Sequence, residues 1–394
     1  MLVLPKHFGL FLFLLSVCML RFISKLFPTL TPTSQQTPLK KSKSQLREWF
    51  DAIILAVLAA SFVRWSVAEA ITIPTPSMAG TIMVGDFLFI SKLHYGARTP
   101  QTPLQIPLTH QTIWGTNTNA FLDWIQLPMF RLPAFSSIKR NDVVVFNYPG
   151  KDEEKLPIDM RTNFIKRCVA LPTDKLEIAE TKLYINGKVV ENPIASQSSY
   201  YVIAKDVIPE KAFRLVGIDD IHSAPNGYYI HASAANARAL QHVPSIEDVI
   251  PIKDVKGKGS EKIFPFSAFY EWNLDNFGAL LVPAKGMKLA MTEQNVALYE
   301  SILLQHEGLV GATVKDNKLY INTEQIKEYT FKQNYYFMMG DNRHNSDDSR
   351  VWGFVPENHI TGKALWVWWS IEPEGGLLDF FTRVRWERIG NKVE

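Results

Sequence analysis

From residue 69 onward the hydrophobic pattern has a period of two, and this feature constrains the fold more than any other. Short segments of this kind lie between Gly, Pro, Asn and Asp residues, at 87–90, 143–146, 175–178 and 363–368. They are typical of β-strands joined by turns. One good helix interrupts them, with Thr292 as its N-cap and Gly308 just past its end, and an alanine-rich stretch at 233–242 is a second candidate. The sequence therefore predicts a mainly β region.

A pentapeptide, Lys-Leu-Tyr-Ile-Asn, occurs twice in this region, at residues 182–186 and 318–322. Such a repeat indicates a repeated structural element, in the simplest case an edge strand. We interpret residues 69–190 and 312–370 as two parts of one β core. The stretch between the copies, residues 191–311, is then an inserted α+β subdomain.

Two apolar segments precede the β region. The first, within residues 1–26, has an apolar run at 8–20 that is short for a membrane span; a cleaved secretory signal is the alternative, but no small-x-small site follows. The second, within residues 49–68, has an uncharged run at 52–63 that is apolar on every face and flanked by tryptophans. A buried core helix is its alternative. We expect a transmembrane helix in each segment.

The loop between the two segments, residues 27–48, is basic. Basic side chains in and beside it are Arg21, Lys25, Lys40, Lys41, Lys43 and Arg47. The positive-inside rule keeps such a loop in the cytoplasm. The chain after residue 69 is then expected outside the cytoplasm, tethered close to the lipid bilayer.

The charge balance and the cysteines exclude two further classes. With 42 basic and 39 acidic residues and a net charge of +3, the chain has no field of one sign, so a nucleic-acid partner is not expected. Its two cysteines, Cys18 and Cys168, lie in a predicted membrane segment and in the β region. A disulfide between them is not predicted.

A serine stands directly after the second apolar segment. Ser77 lies in Ile-Pro-Thr-Pro-Ser-Met at residues 73–78, where two prolines are expected to hold the backbone extended and the serine exposed. A lone serine in such a context is most often only a loop residue. The sequence has no Gly-x-Ser-x-Gly elbow, and no histidine stands in a triad context, so a nucleophilic serine would need another base.

Lys166 is the candidate base, because it lies in an otherwise apolar strand at residues 163–169. The alternative is an ordinary exposed strand lysine. With an unperturbed pKa of about 10.4, only about 0.1% of a lysine is neutral at pH about 7.5. Desolvation that lowered the pKa to about 8 would leave roughly a quarter neutral, at a cost near 3 kcal/mol.

The densest polar run is at residues 340–353. Its Asp, Asn and Ser residues could suggest calcium, but the spacing of an EF-hand loop is not met and Arg343 interrupts the run. A turn that fixes other side chains through Asp/Arg pairs and hydroxyl bonds suits these residue types better. We expect no metal and no cofactor.

Four motifs occur in order: Ile-Pro-Thr-Pro-Ser-Met at residues 73–78, Gly85-Asp86, Phe-Ile-Lys-Arg-Cys-Val-Ala-Leu-Pro at 164–172, and Gly-Asp-Asn-Arg-x-x-Ser-x-Asp-Ser-Arg-x-Trp-Gly at 340–353. Together they resemble the bacterial type I signal peptidase (leader peptidase) family. The resemblance implies a signal-peptidase-like β catalytic core with a serine/lysine dyad.

The resemblance implies a role for each matching position. Ser77 would be the nucleophile and Lys166 the general base. Thr75 and the backbone N–H of Ser77 would form the oxyanion hole, and Ser346 would orient the lysine. The supporting polar network would consist of Asp341, Arg343, Asp348 and Arg350.

The family cuts after small residues in an Ala-x-Ala pattern and binds its substrate by strand addition. The positions that match its pocket lining are Ile73, Met78, Ile82, Phe164 and Ile165. Core packing is the alternative for each. The sequence departs from the motifs at Gly80, which replaces a frequent proline, and at Thr173, which replaces a glycine and should disfavour a left-handed turn, so that the turn or the strand pairing would change.

Two further segments have more than one interpretation. The aromatic residues of 121–135 could rest on the bilayer or pack in the core. The basic aromatic tail, residues 371–394, could lie on anionic headgroups or close the fold.

The sequence thus predicts a serine endopeptidase of the bacterial inner membrane, with its catalytic domain on the outer side. It would remove signal peptides from exported precursor proteins. A membrane-tethered peptide-binding protein without activity and a dedicated processing protease with the same dyad are the alternatives.

Overall fold

A computed structural model describes residues 45–394, except 108, 114, 117 and 376–378. The transmembrane segment predicted at 1–26 and most of the basic loop predicted at 27–48 lie outside the described residues. The chain divides into two compact units, residues 1–54 and 55–394. All strands of the described part lie in the second unit.

The described residues form the following elements. The helices are α1 Gln45–Ser66, α2 Glu210–Leu215, α3 Ala234–Leu240, α4 Glu293–Gln305, α5 Ser349–Trp352 and α6 Phe380–Arg383. The strands are β1 Ala68–Thr72, β2 Asp86–Ser91, β3 Val143–Asn147, β4 Asn163–Ala170, β5 Lys175–Ala179, β6 Lys182–Ile185, β7 Lys188–Val190, β8 Gln197–Ala204, β9 Asp220–Ala224, β10 Gly227–Ser233, β11 Ile246–Pro251, β12 Phe277–Leu281, β13 Lys288–Ala290, β14 Ala312–Lys315, β15 Lys318–Ile321, β16 Glu324–Gln325, β17 Glu328–Thr330, β18 Tyr335–Met339, β19 Val355–Pro356 and β20 Ile360–Ser370. The predicted mainly β architecture is confirmed.

The second apolar segment is a helix, α1, with Glu48 in its first turn and Arg64 in its last. Across the described residues, no helix has both the length and the apolar character required to cross a membrane. The transmembrane span predicted at 49–68 is therefore not supported.

The largest sheet has seven strands in the order β1-β2-β20-β3-β4-β18-β19. Neighbouring strands are antiparallel, and register shifts interrupt the pairing of β20 with β2 and β3 and of β18 with β4. Because a bulge bends its strand and increases its twist, the sheet is curled. The strands predicted at 87–90, 143–146, 175–178 and 363–368 are confirmed as β2, β3, β5 and β20. Within the seven-stranded sheet, β4 lies between β3 and β18.

The two copies of the repeated pentapeptide are β6 and β15, and neither is an edge strand. β6 lies between β5 and β7, and β15 lies between β14 and β16. The asparagine that ends each copy, Asn186 or Asn322, has a positive φ. Asparagine tolerates this left-handed conformation, which allows a tight turn into a further strand. The edge-strand interpretation is therefore wrong.

The predicted insertion at 191–311 contains two parts with different packing partners. Residues 197–251 form the sheet β11-β8-β10-β9 with α2 and α3, around a core that includes Val202, Phe213 and Ile230. The second part shares its core with flanking strands, because Phe277 and Tyr299 belong to one cluster with Leu176 and Phe337. The helices predicted from Thr292 and over 233–242 are confirmed as α4 and α3, capped by the hydroxyls of Thr292 and Ser233.

The basic tail closes the fold against the start of β2. Asp86 is completely buried and accepts hydrogen bonds from Arg388 Nη2 at 2.6 Å and Ser370 Oγ at 2.7 Å. Val384 and Val393 of the tail are also buried. Because a buried carboxylate is stable only when paired, the tail is part of the folded core. For the segment 121–135, core packing applies to Phe121, whereas Trp124, Phe130 and Phe135 are exposed.

Both departures from the family motifs lie at residues with positive φ. Gly80 has a φ of 95°, and a Cβ there would lie 1.9 Å from the carbonyl oxygen of Ala195, so no other residue fits. Thr173 has a φ of 76° and its N–H donates to Val282 O at 2.9 Å. The turn is left-handed despite the threonine, at a strain of about 1–2 kcal/mol. The expectation that threonine would prevent a left-handed turn is therefore wrong, whereas the alternative, a shift in the strand pairing, stays a prediction.

Candidate active site

Three segments meet beside β4. The loop between β1 and β2 carries Ser77, β4 itself carries Lys166, and a polar loop of residues 340–349 follows β18. The backbone N–H of Asn342 donates to Ser77 O at 3.1 Å, and its side-chain amide donates to Pro76 O at 3.3 Å. The serine and the polar loop are therefore fixed to each other by direct hydrogen bonds.

Ser77 is the middle residue of a short 3₁₀ turn, Pro76–Met78. Proline suits the first position of such a turn, because its φ is fixed and its missing N–H would have had no partner. Ser77 is only 7% exposed, whereas Thr75 is exposed. The expectation that two prolines would hold the serine exposed is wrong, since the turn packs the serine against the polar loop.

Lys166 and Ser77 are in direct contact. Lys166 Nζ donates a hydrogen bond to Ser77 Oγ at 2.6 Å, and Lys166 is 4% exposed. The ring of Phe164 lies 5.4 Å from the same nitrogen. In the described part of the chain, no carboxylate forms an ion pair with Lys166. Burial lowers the pKa of Lys166 to about 8, although the charge of Asp348 opposes this shift.

Two other hydroxyl groups stand close to Ser77. Thr75 Oγ1 lies 3.5 Å from Ser77 Oγ. Ser346 Oγ is buried and makes no hydrogen bond to any described residue. A Cβ on Gly340 would lie 2.2 Å from Ser346 Oγ and 2.5 Å from Ser77 O. Ser346 Oγ and Ser77 O therefore both lie so close to Gly340 that no side chain fits at this position.

Asp348 and Arg350 form a buried pair that shapes the polar loop. Arg350 donates to Asp348 through Nε at 2.9 Å and Nη2 at 2.8 Å, and the backbone N–H of Gly340 donates to Asp348 at 3.0 Å. Arg350 Nη2 also donates to Arg343 O at 2.6 Å. Burial alone would raise the pKa of Asp348, but the charge and hydrogen bonds of Arg350 outweigh burial and hold it below its usual value.

Asp341 pairs with a residue that the sequence analysis missed. Arg167 donates to Asp341 through Nε at 2.8 Å and Nη2 at 2.7 Å, and both residues are buried. Thr81 Oγ1 donates to the same carboxylate at 2.6 Å. Arg343 instead donates its backbone N–H to Gln197 O, and burial lowers the pKa of its side chain to about 10. The only sequence signal for Arg167 is that it follows Lys166 and so points to the opposite face of the strand.

The five positions predicted to bind substrate fall into two groups. Ile73, Met78 and Ile82 are at most 2% exposed and belong to one core cluster with β2 and β3. Phe164 and Ile165 are half-buried. Phe164 lies on the same face of β4 as Lys166, whereas Ile165 points to the other face and packs against the cluster of Ile73.

A buried serine hydroxyl that accepts a hydrogen bond from a lysine of lowered pKa is typical of serine hydrolases with a lysine base. The comparison with protein families gives the same class. The model of the family described as signal peptidase, peptidase S26, matches residues 46–238 and 282–369. The chain belongs to this family and is a serine peptidase.

Individual relatives match most of the chain. Signal peptidase I of Buchnera aphidicola subsp. Baizongia pistaciae is 24% identical over 360 residues, which cover 90% of this chain and 87% of that protein. Signal peptidase I of Aquifex aeolicus is 25% identical over 327 residues, covering 82% and 85%. Signal peptidase I of Pseudomonas aeruginosa is 25% identical over 350 residues, covering 86% and 76%.

Proposed function

We propose that this serine peptidase removes signal peptides from exported precursor proteins, with Ser77 as nucleophile and Lys166 as general base. The observation that carries the proposal is the hydrogen bond of 2.6 Å between Lys166 Nζ and Ser77 Oγ. A lysine is a base only when it is neutral, and a pKa of about 8 leaves a useful neutral fraction near neutral pH.

In the acylation step, neutral Lys166 takes the proton of Ser77 Oγ while this oxygen attacks the scissile carbonyl carbon. The tetrahedral intermediate collapses to an ester on Ser77, and Lys166 returns the proton to the leaving amine. Lys166 then takes a proton from water, whose oxygen attacks the ester. The acyl product leaves as a carboxylic acid and Ser77 regains its proton.

The neighbouring groups have supporting roles in this proposal. The Ser77 N–H and the Thr75 hydroxyl stabilise the oxyanion of the tetrahedral intermediate, which the distance of 3.5 Å between the two side-chain oxygens allows. Ser346, whose buried hydroxyl has no described partner, orients the neutral lysine. The pairs Asp348–Arg350 and Asp341–Arg167 hold the polar loop in place.

We propose further that the substrate carries small residues in an Ala-x-Ala pattern and adds a strand next to the site. The pocket would be lined by Phe164, while Ile165 and the cluster of Ile73, Met78 and Ile82 against which it packs would support it from the core. Exposed aromatic residues at Trp124, Phe130 and Phe135 would face the outer surface of a bacterial inner membrane.

The test is to incubate purified protein in detergent with a precursor that carries an Ala-x-Ala site, and to measure product masses. The expected product is the mature fragment, with no cleavage by Ser77→Ala or Lys166→Met. Matched controls are Ser260→Ala and Lys182→Met, which change exposed residues and should cleave like the wild type. Retained cleavage by either dyad variant would refute the assigned roles.

Two outcomes would support the alternatives. Binding of the precursor without any release of a mature fragment, in the wild type, would indicate a peptide-binding protein. Cleavage of one precursor but of none in a panel of unrelated Ala-x-Ala precursors would indicate a dedicated processing protease.

A further inference from the structure

Three potential metal ligands share one face of the β9–β10 hairpin. Asp220 and His222 are two residues apart on β9, so their side chains point to the same face. In the antiparallel register Asp220 lies opposite His231 of β10. The hairpin therefore brings a carboxylate and two imidazoles together without any long loop.

The distances within this cluster are short. His222 Nε2 lies 2.9 Å from Asp220 Oδ1, and His231 Nδ1 lies 2.9 Å from Asp220 Oδ2. One ligand atom from each residue can be chosen so that all three lie within 4.8 Å of one another. His231 Nδ1 is buried, and its contact with Asp220 holds the pKa of that carboxyl below its usual value.

We propose that Asp220, His222 and His231 bind a divalent transition-metal ion, with Zn²⁺ as the best fit. Zn²⁺ prefers imidazole nitrogen and carboxylate oxygen at about 2.0–2.2 Å, and sites with three protein ligands leave its fourth position to water. Mg²⁺ and Ca²⁺ prefer sites made of oxygen alone. An ordinary ion pair is the competing explanation, but it uses two partners, whereas here two histidines converge on one carboxylate.

The polar loop contacts this cluster through Asn345. Asn345 Nδ2 donates to Asp220 Oδ2 at 3.1 Å, and such a hydrogen bond fixes the orientation of a liganding carboxylate. The same loop forms two hydrogen bonds with β8. The Arg343 N–H donates to Gln197 O, and the Ser199 N–H donates to His344 Nδ1. A bound ion would therefore lie where the four-stranded sheet β11-β8-β10-β9 meets the polar loop that carries Ser346.

The experiment uses the full chain without a histidine tag, stripped with a chelator and purified in detergent. Zn²⁺ binding is measured by equilibrium dialysis with elemental analysis, and Co²⁺ is added separately to record its visible absorption. We expect a site of one ion per chain with an intense tetrahedral Co²⁺ spectrum. His222 is 65% exposed, so His222→Ala should fold normally and should weaken binding at least about 100-fold.

His231→Ala tests the second imidazole, and His242→Ala is the matched control because His242 is an exposed histidine of the same subdomain. The control should bind like the wild type. The proposal is overturned if the wild type binds no Zn²⁺, or if His222→Ala binds as tightly as the control. Because binding is measured without substrate, the result does not depend on whether the peptidase roles of Ser77 and Lys166 are correct.

Discussion

The two faces of β4 each carry a buried basic side chain, and the two side chains have different partners. On one face Lys166 contacts a hydroxyl and an aromatic ring, and burial lowers its pKa to about 8. On the other face Arg167 forms two hydrogen bonds with the buried carboxylate of Asp341. The difference teaches that burial can lower the pKa of Lys166 because no described carboxylate is paired with it. With a paired carboxylate, the same strand holds a fixed structural cation.

The largest effect expected from this comparison is on activity. Lys166→Met keeps the approximate shape of the side chain but removes the proposed base, so kcat/KM for precursor cleavage should fall by about 10⁴-fold or more. The rate of precursor cleavage under single-turnover conditions, followed by mass spectrometry, measures this decrease. A variant that retained a tenth of the wild-type rate would show that the two faces are not functionally different.

The second-largest expected effect is on stability, and it concerns Arg167 on the opposite face of β4. Arg167→Met leaves Asp341 charged and buried without its partner, so the free energy of unfolding should fall by about 3–5 kcal/mol. Urea unfolding followed by tryptophan fluorescence measures the change. Lys182→Met, at an exposed strand position, should stay within about 0.5 kcal/mol of the wild type. Equal effects of the two substitutions would contradict the view that the pair is structural.

In the same unfolding experiment, Lys166→Met should instead raise the free energy of unfolding. The folded-state pKa of Lys166 is lowered from 10.5 to about 8, so the folded protein binds fewer protons than the unfolded chain between these values. Below pH about 8 the full penalty of about 3 kcal/mol applies, and it fades as the pH rises to about 10.5. The variant should therefore be more stable than the wild type at pH 7, and the gap should close in alkaline solution. A constant gap would indicate lost packing instead.

The smallest expected effect is the pH dependence of the wild-type reaction. If neutral Lys166 is the base, kcat/KM rises about tenfold per pH unit below its pKa and levels off above pH about 8. Steady-state cleavage between pH 6 and 9 gives the profile. A flat profile over this range would mean that a group other than Lys166 accepts the proton.

The two residues of the candidate dyad, Ser77 and Lys166, could be singled out from the sequence because they lie in short local motifs. The strands could be predicted as well, since their period of two is a local signal. The burial of Ser77 could not be predicted, because it depends on the polar loop. The Arg167–Asp341 pair joins residues that are 174 positions apart. The cluster of Asp220, His222 and His231 becomes visible only once the hairpin register is known.

Whether an apolar residue lines a pocket or packs in the core is hard to predict from a sequence. Ile73, Met78 and Ile82 have the right chemistry for a pocket, but apolar residues on either face of a loop look alike in a sequence. Their burial is decided by β2 and β3, which pack over them.

The link between Asp86 and the tail has a consequence for the order of events during synthesis. Arg388 reaches Asp86 from 302 positions further along the chain. A ribosome-bound chain that has been synthesised only as far as residue 384 would leave the carboxylate of Asp86 without Arg385 and Arg388. The core beside the Ser77 segment is therefore expected to close only after residue 388 has been added to the chain.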